Sequence, residues 1–166
     1  MASSAAGGLS MGLTACGFQL RKAPNFPFKS IYSPFSIGST LGIELRRSLE
    51  STGKVTVLTE VREIDQADVI IDSLLESREK RVVSVNSLGQ VREFQLRLRF
   101  RFRLRTPKGK TLIEDTEILQ QRDISFNESA VLAKETEEAL LYREMQTDIV
   151  QQLMRRLAAV TELQKQ

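Results

Sequence analysis

Residues 93–105 read EFQLRLRFRFRLR, an unbroken alternation of apolar and arginine side chains after the first three residues. Successive side chains of a pleated strand point to opposite faces, so Phe94, Leu96, Leu98, Phe100, Phe102 and Leu104 share one face and Arg97, Arg99, Arg101, Arg103 and Arg105 the other. One face is core. The other is a ladder of guanidinium groups, which serves either as a solvated outer face neutralised by acidic neighbours or as a surface shown to a partner.

On the N-terminal side of this strand, ADVIIDSLLESREKRVVSV (67–85) is joined to it by the turn-forming NSLGQ (86–90). The pair predicts a long antiparallel hairpin. The first arm alternates imperfectly, which predicts a bulge or bend in it. On the C-terminal side, TPKGK (106–110) is a second turn and TLIEDTEILQQRDISF (111–126) a further strand. Pro24, Pro27 and Pro34 forbid a helix early in the chain but allow a short edge strand around Phe28–Tyr32. Ile37, Leu41, Leu45 and Leu49 recur every four residues, predicting a helix that Gly53 stops near Thr52, with KVTVL (54–58) following as a strand.

From Ser129 the period becomes helical. Leu141, Met145, Ile149, Leu153 and Leu157 form one stripe, widened by Tyr142, Val150 and Val160; Glu135, Glu137 and Glu138 come early and Arg155 and Arg156 late, as the helix dipole favours. A helix near each end with an antiparallel run between predicts an α+β two-layer sandwich. Its sheet is mostly antiparallel or mixed, with four to five strands, and both helices pack on one face. The arginine face is then left uncovered.

The chain of 166 residues is one domain of ordinary size, with a formal charge of +3 that names no partner. It has no histidine and one cysteine, which removes most metal sites, every His-dependent triad and any intramolecular disulfide. The cysteine is placed informatively: residues 1–15 are uncharged and small or apolar, and LTAC leads into Cys16–Gly17 like the lipobox of a bacterial lipoprotein. We therefore expect 1–15 to be a signal peptide, apparently truncated because its basic n-region and longer apolar core are missing, with lipid carried on Cys16. Fifteen residues rich in Gly and Ser are too few for a membrane span of roughly 20.

Other motifs carry less. GKT at 109–111 lacks the upstream glycine of a phosphate loop, since Leu104 stands there, and a strand follows instead of a helix. STGK at 51–54 has a serine–lysine spacing that works only on one helical turn, and Gly53 interrupts it. Glu135, Glu137 and Glu138 diverge around a helix, and no histidine completes a metal site with them. A nucleic-acid module is the third reading of the ladder, but single-strand recognition wants aromatic platforms beside the charge, and Phe100 and Phe102 point away from it.

The run RDISFNESAVLAKETEEALLYREMQTDIVQQLMRRLAAV (122–160), the CGFQLR start at Cys16 and the hairpin RVVSVNSLGQVREFQLRLR together resemble the LPS-assembly lipoprotein LptE family of Gram-negative bacteria. The resemblance spans nearly all of residues 16–166, which it implies are a single lipoprotein domain. It further implies a non-enzymatic protein without cofactor, metal or nucleic acid. Such a protein is anchored through Cys16 on the periplasmic side of the outer membrane and plugs an outer-membrane β-barrel LPS-assembly protein (LptD-like). It would assist barrel assembly and bind lipopolysaccharide (LPS). Lys134 matches the lysine of the family's Leu-Ala-Lys segment, and Ser87–Gln90 matches its hairpin tip. Here the tip itself lacks the basic residue of some relatives, and Arg81 and Arg92 are the nearest cations; Ile124 stands where an aromatic is common. Lys134, Arg92 and Arg81 are thus candidate LPS contacts, and Arg97, Arg99, Arg101 and Arg103 a candidate partner- or LPS-facing ladder. A guanidinium fork holds phosphate or carboxylate by paired hydrogen bonds, as either role needs. The alternative is a freestanding periplasmic lipid carrier with an internal apolar cavity.

Overall fold

The computed structural model describes residues 24–35 and 38–161; Cys16, Ile37 and the lipobox lie outside the described residues. Five strands form one sheet in the order β2-β1-β3-β4-β5. They are β1 (Ser30–Tyr32), β2 (Thr56–Leu58), β3 (Val69–Val85), β4 (Val91–Arg105) and β5 (Thr111–Ser125). β1 runs parallel to both β2 and β3, whereas β3, β4 and β5 are antiparallel. The sheet is therefore mixed, and α1 (Thr40–Glu50) and α2 (Val131–Ala158) complete the α+β sandwich.

The alternation in β4 sets the layers. Leu96, Leu98, Phe100, Phe102 and Leu104 are all at most 1% exposed and share one core with Leu41, Leu45 and Leu49 of α1 and with Met145, Ile149, Leu153 and Leu157 of α2. Both helices therefore cover the same face. Phe100 stacks on Phe102 and on Phe35, each pair with ring centroids 5.8 Å apart. Phe35 in turn lies against Gly42, where an added Cβ would stand 2.4 Å from the Phe35 Cβ, so glycine is what lets this loop close on the helix. Ser39 starts α1 by accepting the Gly42 N–H on Oγ at 2.9 Å and donating to Glu76 at 2.7 Å.

Three expectations change. The Pro-flanked β1 is interior, because β2, equally short, pairs with its outer side; β2 is the edge strand. The first helix is Thr40–Glu50, since capping by Ser39 starts it and Ser51 closes it before Gly53 adopts a φ of 65°. The second sheet face is not wholly bare: the 3₁₀ segment Val61–Gln66 brings Ile64 over a small second cluster of Tyr32, Ala67 and Ile70. The remaining elements match, including irregular register in β3 between Ser73 and Leu75 and again between Val82 and Ser84. Gly89 and Gly109, with φ of 78° and 88°, make the two hairpin turns, so GKT begins in a turn.

The parallel strands give the molecule two distinct ends. β1, β2 and β3 all start at one end, the base, where the β4–β5 turn also lies because Ile70 pairs with Arg105. The β3–β4 turn is at the other end, the tip, where β5 ends and α2 begins.

Candidate functional site

Two basic regions emerge, one on the sheet and one at the tip. On the uncovered face each ladder arginine meets a carboxylate from a neighbouring strand. Asp72 of β3 accepts from Arg103 Nη2 at 2.9 Å and Arg105 Nε at 2.8 Å; Arg101 Nε lies 3.3 Å from Asp115, and Arg99 Nη2 donates to Glu117 at 2.8 Å. Glu79 is a hub, 2.7 Å from Arg81, 3.5 Å from Arg99 and 3.9 Å from Arg97. Cross-strand register produces this order, since Glu79 is opposite Arg97, Asp72 opposite Arg103 and Glu117 opposite Arg101.

The electrostatics follow. Burial pushes the Asp72 and Glu79 carboxyls up, but Arg105 and Arg103 at the first and Arg81, Arg99 and Arg97 at the second outweigh it, so both lie below the usual carboxylate range. Arg99 is raised by its bond to Glu117. The ladder is not fully satisfied: buried Nε atoms of Arg97 and Arg99 have no hydrogen-bond partner among the described residues, and Arg97 has only the 3.9 Å ion pair. The face is a lattice of paired charge with unsatisfied donors at Arg97 and Arg99.

The tip is different. Lys134, in the first turn of α2, donates to Ser125 Oγ at 2.9 Å and to Glu137 at 2.8 Å. Lys80 of β3 reaches the same place, bonding Glu138 at 2.6 Å with its ammonium 4.4 Å from the centre of the Phe94 ring. Phe94 meets Phe126 edge-on at 5.3 Å. Together Lys80, Lys134, Phe94, Phe126 and Val131 line a hollow of about 80 Å³. Arg92 is exposed at a register shift beside it, where its carbonyl accepts the Phe126 N–H at 2.8 Å, and its guanidinium makes no ion pair among the described residues. Beyond the hollow Val82, Val83, Val85, Leu88 and Leu132 are exposed, Leu88 by 82% and Leu132 by 80%.

The structure therefore separates residues that the sequence grouped. Lys134 and Arg92 belong to the tip, whereas Arg81, opposite Gln95, projects on the ladder face and pairs with Glu79. Lys80 joins Lys134 although sequence reasoning missed it. Its only signal was the imperfect alternation of β3, where Glu76, Arg78, Lys80 and Val82 follow the core parity yet are exposed, the first three meeting polar groups of Ser39, Gln146 and Glu138 instead of the apolar core. Glu137 and Glu138 are paired with Lys134 and Lys80. A polar seam also escaped prediction: Gln146 of α2 accepts from Thr40 Oγ1 at 2.6 Å and donates to Glu44 at 2.6 Å, locking the two helices together.

A family model described as LptE, lipopolysaccharide-assembly, matches residues 24–157. The LPS-assembly lipoprotein LptE of Photorhabdus laumondii is 29% identical over 161 residues, covering 96% of this chain and 86% of that protein. The solution NMR structure of an uncharacterized lipoprotein B from Nitrosomonas europaea is similar with a TM-score of 0.73 at 34% identity, over 86% of this chain and 91% of that one. The crystal structure of the rare lipoprotein B from Shewanella oneidensis has a TM-score of 0.66 at 20% identity, over 79% and 95% of the two chains, a likeness of fold.

Proposed function

The chain belongs to the LptE family, and from that premise we propose that it is a non-catalytic, lipid-anchored subunit of the outer-membrane LPS assembly machinery that plugs a β-barrel partner and contacts LPS at its tip. The observation that carries the reading is the amphipathic tip: Lys80, Lys134 and Arg92 beside the exposed Val82, Val83, Val85 and Leu88. LPS combines phosphates with acyl chains. Ammonium and guanidinium groups hold the former by charge-assisted hydrogen bonds, and apolar side chains already in water gain by meeting the latter.

The ladder suits the other role. A phosphate arriving at Arg99 or Arg103 would compete with Glu117 or Asp72, whereas a polar barrel wall can engage the outer edges of these pairs. We assign Arg97, Arg99, Arg101 and Arg103 to the barrel. A freestanding lipid carrier would need an apolar chamber, and the space between sheet and helices is filled by Phe35, Phe100, Phe102 and Met145.

The test is charge reversal at the tip. Lys134→Glu with Arg92→Glu should weaken LPS binding at least tenfold and leave pull-down with the tagged barrel within about twofold, because few residues dominate a large interface. Unchanged LPS affinity would remove the tip from the site. LPS affinity indifferent to salt would remove the electrostatic mechanism, since exposed charge contacts weaken as the Debye length falls below ~8 Å.

A further inference from the structure

The base of the molecule, opposite the tip, is electrically distinct. Here α1 ends, α2 ends, β1 and β2 begin and the β4–β5 turn projects, which gathers Lys29, Lys54, Lys108, Lys110, Arg155 and Arg156. All are exposed. Asp65 and Asp68 lie among them, and the Asp68 carboxylate is engaged by the backbone N–H groups of Lys29 and Ser30 at 2.7 and 3.0 Å. At the tip the balance reverses, with Lys80, Arg92 and Lys134 facing Glu93, Glu135, Glu137 and Glu138. Among the described residues the base is thus the more basic of the two ends.

That end is also where the chain enters, since Pro24 to Lys29 lead into β1 at the base. We infer that the base is an electrostatic docking surface for anionic phospholipid headgroups, built on Lys29, Lys54 and Lys108. The inference takes its orientation from the lipid-anchored reading above. The chain from Cys16 to Pro24 spans at most about 29 Å when extended. A lipid on Cys16 therefore holds the base within reach of the headgroups it would face. The lysines determine which end meets the headgroups: their attraction holds the base against them.

The experiment uses the full chain with Cys16→Ser, so that no anchor contributes, and vesicles of phosphatidylcholine with or without phosphatidylglycerol. Wild-type protein should co-sediment with the anionic vesicles at low salt and be released at high salt. Each of Lys29→Gln, Lys54→Gln and Lys108→Gln should weaken partitioning about fivefold, the effect of removing one surface cation, and their combination about a hundredfold. Neutralising Lys80, Arg92 and Lys134 at the tip should change it less than twofold. Equal binding to neutral and anionic vesicles, or equal losses from tip and base variants, overturns the inference. If the triple variant melts early, the three single variants decide between these outcomes. LPS binding is read separately, so failure here leaves the tip reading standing, and failure there leaves this one.

Discussion

Asp72 shows how one carboxylate organises a stretch of arginines. It binds two guanidiniums at once, and its ionised form is favoured in the folded state by Arg105 and Arg103 despite burial. Because the folded value lies below the unfolded one, this stabilisation is complete above the unfolded value and disappears as pH falls through the folded value. Glu79 behaves in the same sense through Arg81, Arg99 and Arg97. The domain should therefore lose stability progressively as pH drops through and below the usual carboxylate range. Asp72→Asn should lower the melting temperature at neutral pH and flatten that acid limb. Parallel melting curves of wild type and variant over the whole range would mean that the Asp72 pairs add no net stability, as many exposed ion pairs do not.

At the scale of the element, β4 decides the fold because its two faces face different media. Phe100 is 0% exposed and packed between Phe35 and Phe102, while Arg101, its neighbour in the chain, is exposed and, among the described residues, paired only with Asp115. Phe100→Asp places an unpaired charge in the core, several kcal/mol of penalty added to the lost packing, and should leave the domain unfolded at 25 °C. Arg101→Asp breaks a surface pair and adds repulsion from Asp115 and Glu117, about 1 kcal/mol. Equal small shifts in thermal melts would show the faces to be reversed. Period-2 alternation made these faces legible in the sequence, as the four-residue spacing made α1 and α2 legible. The position of β1 was not legible, because three residues carry too little pattern to say which of two neighbours lies outside. Nor was the meeting of Lys80 with Lys134, which depends on how far α2 reaches across β3, a matter of tertiary packing between residues 54 apart in the chain. The ladder could be read as a row of arginines. Its pairing with Asp72, Asp115 and Glu117 needed strand register that no single strand encodes.

The proposed roles divide along the long axis of the whole molecule: an amphipathic tip, a charged sheet face, and a basic base where residues 24–29 lead into β1. Among the described residues the core begins at Phe26. The proposed lipid on Cys16 would add membrane affinity of ~0.8 kcal/mol for each buried methylene. Cys16→Ala should therefore melt at the wild-type temperature yet move from the membrane to the soluble fraction when the barrel partner is absent. When the barrel is co-produced, the variant should stay with it, because in the proposed arrangement the ladder face and not the lipid holds that contact. Fractionation with and without the barrel separates the two attachments. Variant protein that stays membrane-bound without the barrel, even after a high-salt wash that strips the lysine-rich base, would show that Cys16 is not the anchor. Variant protein lost from membranes despite the barrel would show that the plug contact is too weak to act without the lipid, and would move the ladder from holding the partner to merely lining it.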